Sequence, residues 1–280
     1  MRRYGVLFAV SVLVFASCAQ EPEEQVTPAE ATAIQLKATE YSFSGAPKTT
    51  QSGAVEVTIS DTGKEPHQAQ LFKMNDGVEI GQLVEVGKQP EPERDFSKLG
   101  TFAGGPNAVD AGETQTAVTE LSPGRYVFFC QVPDPKGRAH LALGMVSELE
   151  VTQADEEADL PSGELLSTAT EFSFELPGSW DGTVSFQNNG EQPHELQVIG
   201  VAEGKTPEDV QKFFSSEPGE SSGPPPWTTG GGIAGVEPGG SGTFDADLAP
   251  GTYFAMCFFA DPQKKAPHFA LGMMQKFEVK

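Results

Sequence analysis

Ser122-Pro123-Gly124-Arg125-Tyr126-Val127-Phe128-Phe129-Cys130, followed after nine residues by His140-Leu141-Ala142-Leu143-Gly144-Met145, decides the reading of this chain because it occurs twice. The second occurrence is Ala249-Pro250-Gly251-Thr252-Tyr253-Phe254-Ala255-Met256-Cys257, with His268-Phe269-Ala270-Leu271-Gly272-Met273 after ten residues. Further out, Ala38-Thr39-Glu40-Tyr41-Ser42-Phe43 returns as Ala169-Thr170-Glu171-Phe172-Ser173-Phe174, and Glu65-Pro66-His67 as Gln192-Pro193-His194. The offset stays between 127 and 131 residues and the order of matches is kept, so the chain carries an internal duplication.

Within each copy the patterning is that of strands. Ala54–Ser60 and Gly182–Gln187 alternate with period two, and aromatic-rich runs at 125–132 and 252–259 follow Pro-Gly turns. The final strands are placed at Val146–Val151 and Gln275–Val279. One helix is expected after Thr206 as N-cap, with Pro207 at N1, Glu208 and Asp209 in the first turn, and Val210–Phe214 following. Pro218–Gly242, rich in Gly, Pro and Ser, is expected to be a long loop. The fold class is therefore all-β, two tandem β-sandwiches with one short helix per domain at most. Domain one is placed at 33–152 and domain two at 163–280. The acidic segment 153–162 reads as a linker and 18–32 as a disordered tether.

The chain opens with Arg2 and Arg3, then an apolar run from Val6 to Ala16 that is too short to span a bilayer. It reads as a signal peptide over residues 1–17. Phe15-Ala16-Ser17-Cys18 resembles a bacterial lipobox, which implies lipid attachment at Cys18 and an extracytoplasmic, membrane-anchored protein. Net charge is −22, and loss of Arg2 and Arg3 makes it more negative. That argues against nucleic acid or anionic lipid surfaces as partners and is compatible with a basic partner protein, or merely with solubility outside the cell.

The chain has four histidines and, beyond Cys18, two cysteines, and all of them fall at matched places in the repeat. The order is His67, Cys130, His140, Met145, then His194, Cys257, His268, Met273, with four residues between the second His and the Met in both copies. One thiolate, two imidazoles and a weak axial thioether suit copper, which accepts this mixture in both oxidation states. These eight residues are the candidate metal ligands, and the cofactor is two copper ions, one per domain. A Cys130–Cys257 disulfide is the competing use of the thiols, and it would require equivalent loops of both domains to meet. Met256 alternates with Cys257 along its strand and is expected in the core. Met274 rivals Met273, but only Met273 matches the Gly-Met of the first copy. Tyr126 and Tyr253 are expected to pack as tyrosine corners. The phenylalanines beside Cys130 and Cys257 are expected to keep water from the sulfur.

Each copy resembles a cupredoxin, the plastocyanin and azurin family of blue-copper proteins. The Pro-Gly-x-Tyr run before Cys, the Cys…His…Met order and the Gly before Met carry the resemblance. It implies a Greek-key β-sandwich with copper near one end, held by the eight residues named above. Two features depart from the family. The Cys-to-His loops are longer than in plastocyanin or azurin and nearer those of nitrite reductases. Gln68 and Glu195 stand after the first histidine, where many relatives carry Asn.

The expected function is one-electron transfer at two type 1-like copper sites, with a redox partner protein. Extracytoplasmic copper delivery or storage, and a metal-free binding module, are the alternatives. Because every histidine is already committed, none remains for a further histidine-built centre, and the chain is expected not to be an enzyme.

Overall fold

The structure is a computed structural model, and it describes residues 29–89, 93–216 and 224–280. The expected signal peptide and Cys18 lie outside the described residues. Two β-sandwich-like domains are present, as the alternation implies. They share one eight-stranded sheet, ordered Ser173–Glu175, Leu165–Thr170, Asp181–Asn188, Ser241–Asp247, Thr114–Leu121, Gly53–Asp61, Thr32–Thr39, Ser42–Ser44. The seam is antiparallel, with Gly242 opposite Thr119, Thr243 opposite Val118 and Phe244 opposite Ala117.

Each end of this sheet is faced by a second sheet. In the first half it comprises Thr49–Gln51, Val146–Thr152, Gly124–Phe129, Gln70–Met74 and Gly100–Phe102. In the second it comprises Trp227–Val236, His194–Val201, Gly251–Met256 and Met274–Val279. Ile34, Leu36, Val55, Val57 and Ile59 meet Leu71, Tyr126, Phe128 and Leu149 in one core. Val184, Phe186 and Phe244 meet Leu196, Val198 and Ala255 in the other. The tyrosine corners form as expected: Tyr126 Oη donates to Ser122 O at 2.9 Å and Tyr253 Oη to Ala249 O at 2.8 Å. Met256 is fully buried beside Ile199, Val210 and Phe254, a core residue as its parity requires.

Two expectations need correction. The first half holds two helices rather than one at most: α1 (Ile80–Gly87) and α2 (Glu93–Leu99); α3 (Pro207–Ser215) is the helix read from the second half. Helix α1 begins with a capping box, in which Glu79 N–H donates to Gln82 Oε1 at 2.8 Å. Its β-branched residues and two glycines hid it, yet Leu83 and Val86 are buried on one face. Leu83 and Val86 join Phe96 of α2 in the core that includes Val127 and Phe129, and Phe96 stacks on Phe129, so these two are as buried as Tyr126 and Phe128.

The glycine-rich segment expected as loop contains the ten-residue strand Trp227–Val236. Its glycines serve close approach instead of a turn. A Cβ on Gly232 would lie 2.0 Å from Leu196 O, and one on Gly231 would lie 1.7 Å from Gln115 Oε1 of the first half. With no side chains there, the strand can run against both His194–Val201 and residues 103–109.

The halves are pinned by two glutamines. Gln70 Nε2 donates to Gly235 O at 2.9 Å while its Oε1 accepts from Gly235 N–H at 2.8 Å. Gln197 does the reciprocal, donating to Ala108 O at 3.1 Å and accepting from Ala108 N–H at 3.0 Å. Both are buried and stand three residues after the first histidine of their copy.

Candidate metal centres

His67 precedes the strand Gln70–Met74 and His194 begins the strand His194–Val201. Cys130 and Cys257 each follow the last residue of the aromatic strand, and His140 and His268 each open a one-turn 3₁₀ helix. The 3₁₀ turns end at Gly144 and Gly272, whose positive φ turns the chain back so that Met145 and Met273 follow directly. Cys130 N–H then donates to Met145 O at 3.3 Å, and Met145 N–H to His140 O at 3.0 Å. The same bonds recur as Cys257 to Met273 at 3.2 Å and Met273 to His268 at 2.9 Å.

The geometry brings His67, Cys130 and His140 into one buried group and His194, Cys257 and His268 into another, the ligand atoms of each within 4.8 Å of one another. In the first, the two Nδ1 atoms are 3.1 Å apart, and Cys130 Sγ is 4.0 Å from His67 Nδ1 and 3.4 Å from His140 Nδ1. In the second the corresponding separations are 3.1, 3.7 and 3.4 Å. No disulfide joins Cys130 and Cys257, so that alternative is not realised. Met145 and Met273 are fully buried; Met145 clusters with Cys130, and Met273 with Cys257.

Outer partners orient the imidazoles. His140 Nε2 is 3.0 Å from Glu65 Oε2, and His194 Nε2 is 3.4 Å from Glu171 Oε1. His268 Nε2 is 3.4 Å from Gln192 Oε1, and His67 Nε2 is 3.9 Å from Glu40 Oε1. The outer nitrogens of His140, His194 and His268 thus face an oxygen that accepts N–H, which leaves their Nδ1 lone pairs turned toward the sulfur, whereas the buried Nε2 of His67 has no hydrogen-bond partner. Glu40 also accepts from the backbone N–H of Lys64 and, at 3.0 Å, of Glu65. The Lys64 donor leads in holding its carboxyl below the usual range. Close packing makes room necessary: a Cβ on Gly63 would lie 2.9 Å from His67 Nε2, and one on Gly190 2.8 Å from His194 Nε2.

The donor set fits a soft-to-borderline cation. Burial pushes the Cys130 thiol up to about 12, so by itself it stays protonated. Burial, and next the neighbouring imidazole, push His67 and His268 down to about 4. His140 and His194 are lowered by burial as well. The first metal-free group is thus neutral, its imidazoles converging on a thiol that only a cation can deprotonate at neutral pH. Two buried His–Cys–His groups of this kind are consistent with two copper ions.

The sequence reading missed the outer partners. Glu40 and Glu171, Glu65 and Gln192 sit in the repeated Ala-Thr-Glu and Pro-His segments, so the signal lay in the repeat itself. The shielding role given to the adjacent phenylalanines is corrected. Phe129 points to the opposite face and stacks on Phe96 at 5.4 Å, because neighbours in a strand alternate. Phe258 is 37% exposed and packs on Phe214 and Phe269.

No family model matches the chain, and no curated protein matches it. Among solved structures, auracyanin A, a "blue" copper protein from Chloroflexus aurantiacus, is 20% identical, covering 44% of this chain and 100% of its own, with a TM-score of 0.33. A multicopper oxidase is 11% identical over 89% of this chain and 88% of its own, with a TM-score of 0.27. A copper nitrite reductase from Nitrosomonas europaea is 14% identical over 90% of this chain and 94% of its own, with a TM-score of 0.26. The expectation that the chain is not an enzyme is overturned by this pair, since both are enzymes similar to nearly its whole length. The histidine count on which that expectation stood holds only for a chain acting alone. No helix among the described residues is long and apolar enough to cross a membrane.

Proposed function

We propose that this chain is an exported, lipid-anchored copper protein whose two type 1-like sites exchange single electrons with a redox partner. The observation that carries the reading is the convergence of two Nδ1 atoms and one Sγ, buried and built twice from equivalent elements. His67, Cys130, His140 and Met145 would hold one ion, and His194, Cys257, His268 and Met273 the other. Bound copper supplies a one-electron couple that accepts this donor set in both oxidation states. The chain's own part is to hold the ligands before metal arrives. Glu65, Glu171 and Gln192 fix the tautomers of His140, His194 and His268, and burial of every ligand excludes water. Domain boundaries at 33–152 and 163–280, and lipidation of Cys18, belong to the same proposal. The −22 charge favours a basic partner.

Titration of the reduced chain with Cu(II), followed by visible absorption and electron spin resonance, tests this. The expected result is intense thiolate-to-copper absorption saturating at two equivalents, and at one in Cys130→Ser or Cys257→Ser. Absence of the band with both thiols shown to be free overturns it.

A further inference from the structure

The residues after the first histidines, Gln68 and Glu195, depart from the family's Asn, and the structure shows them joined. Gln68 N–H donates to Cys130 Sγ at 3.4 Å, and Gln68 Oε1 accepts from Gln131 N–H at 3.2 Å. Gln68 Nε2 donates to Asn107 Oδ1 at 3.4 Å. Asn107 Nδ2 crosses the domain boundary and donates to Glu195 Oε2 at 3.0 Å. Glu195 Oε1 accepts from Phe258 N–H at 2.9 Å, the peptide that follows Cys257. Four hydrogen bonds thus run from the residue after one candidate thiolate to the residue after the other. Gln68, Asn107 and Glu195 are 6%, 2% and 6% exposed, so water does not substitute for any member.

The direction of this chain is fixed. Each amide offers its oxygen to one neighbour and its NH₂ to the next, and flipping either would set donor against donor. Among the described residues the link exists once. His67 pairs with Val109 as His194 pairs with Val236, so Ala234 stands where Asn107 stands in the first half and has no polar side chain to return the contact.

We infer that Gln68, Asn107 and Glu195 form a relay that couples metal binding at the two sites. A metal taking the thiolate of one site holds the peptide after that cysteine in place, and with it narrows the motion of the hydrogen bonds along the relay. The peptide after the other cysteine is then already ordered when the second metal arrives, so that event costs less. By linkage the effect is the same whichever site fills first. The inference rests on the metal reading above.

The test uses Cd(II), which keeps one oxidation state, with its thiolate absorption as the readout on the full chain. Each site's affinity alone is taken from Cys257→Ser and Cys130→Ser. The product of the two association constants in the native chain is expected to exceed the product of these two by about tenfold. In an Asn107→Ala background the excess is expected to vanish. In Thr229→Val, which removes a cross-domain hydroxyl bond to Asp110 outside the relay, it is expected to persist. Should Asn107→Ala fail to fold, Gln68→Met severs the same path. In addition, the side-chain amide resonances of Gln68 should shift when Cd(II) fills the second site of Cys130→Ser. Equal products in the native chain, or an excess that survives loss of Asn107, overturns the relay. No Cd(II) absorption in any chain overturns the metal reading on which it rests.

Discussion

Asp61 and Asn188 occupy the same place at the ends of equivalent strands, and each accepts the backbone N–H of a glycine two residues on, at 2.8 and 2.9 Å. Their second atoms differ. Asn188 Nδ2 donates to Gln192 O at 2.8 Å and Val236 O at 2.9 Å, whereas the buried Oδ2 of Asp61 has no hydrogen-bond partner. Burial accordingly raises the Asp61 carboxyl to about 6. The fold therefore holds this proton more tightly than the unfolded chain, and stability is lost as pH rises from about 4 to about 6. Asp61→Asn should stabilise the chain at pH 7 by about 1–2 kcal/mol, the usual cost of a buried unsatisfied polar group. The gain should shrink toward pH 4. Paired thermal melts at pH 7 and pH 4 check this, and an unchanged or lower Tm at pH 7 would contradict it.

The metal-free histidines act in the opposite direction. Burial and the adjacent imidazole place His67 and His268 at about 4, below the ordinary value near 6.5. Between these values the unfolded chain takes up protons that the folded chain refuses, so stability falls as pH drops. Metal-free protein should lose Tm steadily from pH 6.5 to pH 4.5. The effect is cleanest in Asp61→Asn, where the opposing carboxylate is gone. A flat Tm over that window in this variant would show that the imidazoles are not held neutral.

The fold class and the two His–Cys–His groups were legible because both depend on residue type and spacing within short segments. Pro-Gly before an aromatic run, and Cys, His and Met around one loop, are local signals. What was hidden is relational. Glu40 lies 27 residues before His67 and meets it only because the turn at Gly63 folds against both. The strand at 227–236 looks like loop in composition, since its glycines answer to a neighbouring domain and not to a turn. The relay residue Asn107 has no counterpart in the second copy, so the repeat gave no hint of it.

The two sites differ in one outer partner, which sets up an internal comparison. Glu65 faces His140 Nε2 at 3.0 Å with a carboxylate, whereas Gln192 faces His268 Nε2 at 3.4 Å with an amide oxygen. Glu65→Ala should weaken metal binding at the first site by about 10–100-fold. Glu65→Gln, which gives the first site the second site's partner, should fall short of that loss. Cu(I) competition titrations in the Cys257→Ser background read the first site by itself. Equal affinity in Glu65→Ala and the parent would remove Glu65 from any orienting role.

Gln70 and Gln197 each satisfy both backbone groups of one residue in the opposite half, at separations between 2.8 and 3.1 Å. Gln70→Ala leaves the Gly235 N–H unpaired, at about 1–3 kcal/mol, while Gly235 O keeps the Gly104 N–H; Gln197→Ala removes two hydrogen bonds worth about 1 kcal/mol each, while Ala108 keeps Gly231 N–H and Asn107 Oδ1 as partners. The shared sheet seam, with Phe244 opposite Ala117, remains in place in the single variants. Each single substitution should therefore lower Tm while keeping one cooperative transition. The double variant loses both pins and should unfold in two calorimetric steps, one per domain. A single step in Gln70→Ala/Gln197→Ala would mean that the sheet seam and the backbone bonds between Trp227–Val236 and residues 103–109 are enough to couple the halves.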